Sequence, residues 1–405
     1  MKVYYNLPKK VYFCKKCVNS NQYPVSTIEF KHTKNRKEAK YINFNPSGIC
    51  DGCIQAEIKK KINWKNREKE LFKLLDKFRK NDGSYDCLVP GSGGKDSVYA
   101  AHLLKYKYKM NPLTVTWPPI LYTDYGKKNF DNWLSVGGFD NITLKPNPKV
   151  QKILTKLSIE KLLHPFQTFI LGQKNLAPKI AKQHNINLVF FGENEAEYGN
   201  PISDNLNSVR DKSYYTYQNI KDVYLAGTKV SELISRYKIN LSDLSLYLPL
   251  KLDDYKTKDL QIHYLGYYLK WVPQEAYYYA VDNTGFKARP HRTEGTYSKY
   301  NSIDDKIDDL HHYTRFIKFG IGRATDDASQ EIRNNHINRE EAKRLVNRFD
   351  GEFPQRYFEE IMDYLEIKPK NFLKLCDKFR SPHLWKKIRN EWRLRHTVNK
   401  DGVDD

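Results

Sequence analysis

The chain has 405 residues, 40% of them hydrophobic, which allows two modest domains, or one large one with an appendage, around a sizeable core. Lys and Arg number 69 against 48 Asp and Glu, a formal net charge of +21; this favours polyanionic partners or, equally, a solvated surface in a Lys-, Asn- and Tyr-rich composition. No run approaches the roughly 18–20 apolar residues of a membrane span, and Met1 to Lys10 has no signal-peptide-like apolar stretch, so a cytoplasmic protein without a membrane partner is expected.

Residues 1–60 hold two Cys-x-x-Cys pairs, Cys14/Cys17 and Cys50/Cys53, and little apolar periodicity. In a reducing compartment such pairs read as four ligands of a closed, structural Zn²⁺ site; redox or sulfur-transfer chemistry at one pair is the alternative. The interval between the pairs exceeds the ~15–20 residues usual between knuckles, and the charged loop from His32 to Lys40 accounts for the excess. Trp64, Leu71, Leu74, Leu75 and Phe78 recur at helical spacing between Ile62 and Arg79, ending at the turn signal Asn81-Asp82-Gly83.

Tyr85 to Pro90 then reads as a short buried strand, Asp96 to Tyr108 as a helix and Leu113 to Trp117 as a second strand. Lys127 to Val136 suggests a helix, Asn141 to Leu144 a strand, Asn175 to Asn185 a helix and Leu188 to Phe191 a strand. This alternation implies an α/β fold, a parallel sheet with helices on both faces, whose ligands sit beyond the carboxyl ends of the strands. Two polar loops, Gly91–Ser97 and Gly192–Tyr198, fall at that edge and converge on one crevice. Beyond about residue 210 the pattern is mostly helical and tyrosine-rich, with Tyr267-Tyr268 and Tyr277 to Tyr279 expected to be packing residues. The resulting division is 1–60 for the cysteine segment, 61–210 for the α/β domain that carries both polar loops and 211–405 for a helical substrate or partner region.

The loop Gly91-Ser92-Gly93-Gly94-Lys95-Asp96-Ser97 stands between a strand and a helix, where backbone N–H groups can cradle phosphate. It is not a Walker A loop, because Val89 stands where the first glycine is needed and Asp96 follows the lysine; nor is it a dinucleotide fingerprint. Its form resembles the PP-loop of ATP pyrophosphatases, which release pyrophosphate and adenylate a substrate. On that reading Gly91, Ser92, Gly93, Gly94 and Ser97 hold the departing pyrophosphate, Lys95 offsets its charge and Asp96 helps to hold Mg²⁺. Thr116 and Trp117 are placed to meet adenine or ribose. Glu193, Asn194 and Glu197 are candidates for substrate or Mg²⁺. Arg323 and Asp326 are candidates for a mutual ion pair or an anionic substrate, with Asp326 alternatively capping the helix after it.

Together with Tyr198-Gly199-Asn200-Pro201, Gly192 to Glu195 and Gly320-Ile321-Gly322-Arg323-Ala324-Thr325, these features resemble the N-acetyl sugar amidotransferases, a PP-loop family with a Rossmann-like fold. His164 to Gln167, Gly172 to Asn175 and Thr293 to Tyr297 are most similar to the branch acting in pseudaminic acid biosynthesis; a sister branch acts on a UDP-linked mannuronic acid. The resemblance implies that an acetamido oxygen of a nucleotide-activated sugar attacks the α-phosphate of ATP, and that ammonia then replaces AMP to leave an acetamidino group. Ammonia would come from a separate glutaminase subunit, since Cys87, in a strand, and Cys376, in a late helix, read as buried and inert. A tRNA-thiolating PP-loop enzyme is the competing reading, kept alive by the basic charge, although a nucleic-acid partner is the lesser expectation. A zinc-knuckle binding module with a degenerate ATP fold is a third.

Overall fold

A computed structural model describes residues 1–24, 29, 31–32, 41–200, 207–220, 223–251 and 260–400; the expected charged loop beyond His32, Pro201 and the C-terminal tail lie outside them. After the cysteine segment come helices α1 (Asp51–Lys61) and α2 (Trp64–Phe78), the latter capped by the Asn63 side chain, which accepts from the Asn66 N–H. Strand β1 (Cys87–Pro90) leads through the glycine loop into α3 (Lys95–His102), which continues as one π-helical turn over Leu103–Lys107. Strand β2 (Pro112–Thr116), α4 (Asp124–Ser135), β3 (Asn141–Thr143), α5 (Pro148–Leu162), α6 (Gln167–Gln183) and β4 (Leu188–Phe191) follow. A fifth strand, β5 (Gln261–Tyr264), pairs with β4, so the sheet draws on the chain well past residue 210.

The sheet has the order β3-β2-β1-β4-β5 and every pairing in it is parallel. Strand order reverses at β1: the chain first proceeds outwards through β2 and β3, then returns to place β4 on the other side. Ligands in doubly wound sheets bind at such a reversal, outside the carboxyl ends. The alternation of side chains along β1 decides the two cores. Leu88 joins Val115, Val189, Leu154, Leu171 and Ile180 under α5 and α6, whereas Cys87 and Val89 join Leu188, Phe190, Leu75, Val98, Leu104 and Trp133 under α2, α3 and α4. Both faces are therefore dry, as a parallel sheet requires.

The C-terminal part adds α7 (Pro273–Thr284), α8 (Asp308–Phe319), α9 (Arg323–Arg333) and α10 (Arg339–Phe349), then helices Phe358–Leu365 and Pro369–Phe379 and a closing hairpin, Trp385–Ile388 with Glu391–Leu394. Ile307, Leu310, Ile317, Ile361, Leu365 and Phe372 form its own apolar cluster, joined by Ile159 and Leu163 from the end of α5. Of the tyrosines expected to pack, Tyr268 is buried, Tyr277 stacks on Tyr300 at 4.3 Å and Tyr279 shares a hydrogen bond with His102 at 2.7 Å, whereas Tyr278 is exposed. No helix among the described residues is long and apolar enough to cross a membrane.

Candidate functional site

The glycine loop is fixed to the sheet before it turns. Gly91 N–H donates to Val115 O at 2.9 Å, so the first loop residue still belongs to the β1–β2 ladder. Gly93 has φ +83°, and a Cβ there would lie 2.7 Å from Asn129 O and from Phe130 Cα on α4. Only glycine fits that left-handed, crowded turn. Gly94 is the N-cap of α3, and the Ser97 hydroxyl donates back to Gly94 O at 2.9 Å. The N–H groups of the first α3 turn have no helical acceptor and sit at the positive end of the helix, an arrangement able to receive phosphate oxygens.

Lys95 and Asp96 are held tightly in that turn. Lys95 Nζ lies 2.6 Å from Asp96 Oδ2, and Trp271 Nε1 donates to Asp96 Oδ1 at 2.9 Å. Lys95 is 9% exposed despite its charge. The loop after β4 closes on the same turn: a Cβ on Gly192 would stand 2.3 Å from Asp96 O. The two loops expected to share one crevice thus touch. Ser92 Oγ donates to Asp304 Oδ2 at 2.8 Å, tying the loop to the C-terminal part.

The remaining candidates are distributed differently from expectation. Thr116 is fully buried; its hydroxyl accepts from Asn141 Nδ2 at 3.0 Å and its carbonyl from Leu144 N at 3.0 Å, so it supports the sheet edge. Trp117 is also buried, packed over Gly172 and edge-on to Tyr247. Asn194 caps the short turn that follows, accepting from Ala196 N–H at 3.1 Å. Glu197 pairs with Lys59 of α1 at 2.7 Å, both side chains nearly enclosed, and Lys59 Nζ also donates to Trp271 O at 2.5 Å. Glu193 lies in the loop and raises the pKa of buried Tyr198, after the larger effect of burial itself. Arg323 and Asp326 do not pair with each other. Arg323 Nε donates to Asp327 Oδ1 at 2.9 Å, and Asp326 accepts from both terminal nitrogens of Arg315. Nor does Asp326 cap α9, whose N-cap is Gly322.

Lys59, Trp271 and Asp304 were invisible as site residues in the sequence. Trp271 and Asp304 reach the glycine loop, and Lys59 reaches Glu197, from distant segments, and neither spacing nor a motif marks them. Cys87 and Cys376 are buried, and desolvation pushes both thiols up, Cys376 to about 12, so neither is a nucleophile.

Four buried sulfurs form the second centre. The Sγ atoms of Cys14, Cys17, Cys50 and Cys53 all lie within 4.8 Å of one another, with Cys14–Cys53 at 3.8 Å and Cys17–Cys50 at 3.6 Å. A tetrahedral ion with bonds of about 2.3 Å sets sulfurs about 3.8 Å apart, so the donor set fits one metal ion. A four-iron cubane would hold them about 6 Å apart, farther than observed. Backbone N–H groups of Lys16, Cys17 and Cys50 point at Cys14 Sγ at 3.4–3.5 Å. Arg333, at the end of α9, brings Nη2 to 3.7 Å from both Cys17 and Cys50 Sγ and donates to Glu197 O at 3.0 Å. Burial opposes ionisation of Cys17, but the neighbouring sulfurs and the Arg333 charge together hold its thiol well below the ordinary value. His32 is not a ligand: its ring lies 4.8 Å from that of Tyr5 and its Nε2 3.5 Å from Glu29.

Residues 294–399 match a family described as "LPS biosynthesis protein WbpG-like, C-terminal domain". That segment includes Asp304, Arg323 and Arg333. The match supports a lipopolysaccharide-biosynthesis-type C-terminal domain and does not extend to the pseudaminic acid branch expected from the sequence. An uncharacterised protein of Methanocaldococcus jannaschii is 42% identical over 84 residues, 21% of this chain and 29% of that protein, so the chain spans less than a third of this curated relative. Among solved structures, an NMN synthetase of Francisella tularensis is 18% identical over 33% of this chain and 56% of its own, with a TM-score of 0.25. An NH3-dependent NAD synthetase of Campylobacter jejuni covers 33% and 58% at 18% identity and 0.26. A U34-tRNA thiolase of Methanococcus maripaludis, with a [4Fe–4S] cluster, covers 79% and 89% at 13% identity and 0.32. Likenesses this weak leave the fold to be read from the sheet itself.

Proposed function

We propose that the chain is an ATP-dependent amidotransferase that adenylates an acetamido oxygen of a nucleotide-activated sugar and lets ammonia displace AMP. The observation that carries the reading is the Ser92–Asp304 hydrogen bond, which joins a PP-loop-type phosphate cradle to the segment matching the lipopolysaccharide family. In this reading the N–H groups of the loop and the start of α3 take the β- and γ-phosphates, and Lys95 neutralises charge that develops on the leaving pyrophosphate. Asp96, oriented by Lys95 and Trp271, keeps lone pairs with which it would help to hold Mg²⁺, and that ion would supply charge stabilisation for the leaving pyrophosphate. The substrate is a CMP-nonulosonate of the pseudaminic or legionaminic type or a UDP-linked acetamido sugar, and the ammonia source is a glutaminase subunit. The four-cysteine centre holds Zn²⁺ as a structural ion, which the sulfur spacing and the lack of an open ligand position support.

The test is incubation with ATP, Mg²⁺, ammonium and CMP- or UDP-linked acetamido sugars. Expected are AMP, pyrophosphate and a product lighter by about one mass unit and more basic, since an NH replaces an oxygen. Asp96→Ala should lower AMP formation by roughly 10²–10³-fold with the fold retained, the range seen when one group stabilising developing charge is lost. Release of ADP in place of AMP would dismiss the reading. The basic charge of +21 favours a second one, a tRNA-adenylating enzyme; tight tRNA binding with a steep salt dependence would select it.

A further inference from the structure

Three buried polar side chains beside the phosphate loop lack the partners that burial demands. Arg289 is 2% exposed, yet none of its three guanidinium nitrogens has a hydrogen-bond partner. His312 of α8 is 5% exposed and neither ring nitrogen is bonded. Asp309, one turn earlier on α8, has neither carboxylate oxygen bonded; the Glu294 carboxylate stands beside it and the Arg356 Nη1 cation is 3.7 Å away. A buried guanidinium offers five donors, and leaving them empty costs more than almost any other side-chain defect. Such defects concentrated in one place point to a ligand.

Their location is equally specific. The Asn129 side chain clasps the backbone of Lys287 through two bonds, at 2.8 and 2.9 Å, and the Asn129 carbonyl abuts Gly93 of the loop. Arg289 follows two residues later, and its charge reaches Asp308, Asp309, His291 and His312. Asp304, which holds Ser92, acts electrostatically on Asp308 in turn. Gly295 backs the cluster, its Cβ direction 3.6 Å from His312 Cβ.

We propose that Arg289, flanked by His312, is the receptor for an oxyanion, the carboxylate or phosphate group of a ligand lying against the phosphate loop. The planar fork binds two oxygens of one such group at once. His312, kept neutral by burial and the nearby arginines, supplies one donor and one acceptor for a hydroxyl beside it, and Asp309 accepts a second hydroxyl. The ligand class is therefore an anion carrying hydroxyl groups. The assignment rests on the adenylating reading only in the choice of probes.

The test is equilibrium binding of three probes to the full chain: inorganic pyrophosphate, UDP-N-acetylglucosaminuronic acid and UDP-N-acetylglucosamine, the analogue whose sugar is neutral. Arg289→Met should weaken one of the two anionic cases by roughly tenfold or more, since a charge-assisted bidentate contact is lost. Loss of pyrophosphate binding assigns the site to a phosphate; a uronate brought to the affinity of its neutral analogue assigns it to a carboxylate. The thermal midpoint of the ligand-free variant should stay level or rise, because a buried guanidinium without hydrogen bonds is gone, whereas a structural arginine would lower it. Arg289→Lys keeps the charge without the fork and should weaken the same probe, which covers failure of the Met variant to fold. Wild-type protein that binds neither anion at millimolar concentration, or variants that bind both like wild type, would overturn the assignment. Because binding is read without turnover, a protein that forms no AMP still reports on this site, and AMP formation with unaffected variants removes this site alone.

Discussion

Asp96 is the residue on which the candidate chemistry turns, and its orientation is set by a group the sequence does not advertise. Lys95 takes one carboxylate oxygen and Trp271 Nε1 the other. Trp271 is almost wholly buried, so it brings a rigid donor at little entropic cost. Removing that donor while keeping the ring should therefore disturb position more than stability. Trp271→Phe is expected to lower the turnover number for AMP formation by about tenfold, the equivalent of one hydrogen bond to a charged group, with KM for ATP little changed. A variant as fast as wild type would mean that Lys95 alone aims the carboxylate. The glycines, serines, lysine and aspartate stood out as a candidate loop because a backbone cradle for phosphate imposes a local pattern. Trp271, Lys59 and Asp304 were not, since a hydrogen bond across the fold leaves no trace in spacing.

At the scale of elements, the glycine loop separates two roles that look alike in the sequence. Gly93 sits at φ +83° against α4, while Gly94 has φ −69° and open space where its Cβ would stand. Gly93→Ala should destabilise the fold by roughly 1–3 kcal/mol through backbone strain, and by more for the contacts with Asn129 and Phe130. Gly94→Ala should leave thermal stability level or slightly raised, since that backbone conformation suits alanine. Equal losses of thermal midpoint in the two variants would show that the turn tolerates a side chain. Strands β1 to β4 were readable as short apolar runs, and helices α2, α3 and α4 as periodic ones. α5 was missed although Asn147 caps it and Pro148 opens it, a start signal that outranks its weak amphipathicity. Pro178 inside α6 obscured the half of that helix before Asn175. β5 is four residues with a buried His263, too short and too polar to stand out until β4 is there to pair with it.

The whole molecule is organised so that its two ends meet at the cysteine centre and its middle meets at the loop. Arg333 and Arg339, on α9 and α10, reach back to the N-terminal knuckle; Arg339 donates to the Cys14 and Cys17 carbonyls. From there a bonded path runs to the glycine loop: Arg333 holds Glu197 O, Glu197 pairs with Lys59, Lys59 holds Trp271 O, and the Trp271 indole holds Asp96. With no metal to hold them, four thiols packed this closely would repel as they ionise and release the segment that carries α1 and Lys59. Metal analysis of protein purified without chelator should give one equivalent of zinc per chain. Stripping it with a zinc-selective chelator in excess Mg²⁺ should lower the thermal midpoint and slow AMP formation together, and restored Zn²⁺ should recover both. The position of Asp96 depends on the far end of that path, so activity should fall at temperatures where the stripped protein is still folded. Stripped protein that loses stability yet turns over at the full rate below its new midpoint would show that the path carries no influence on the loop.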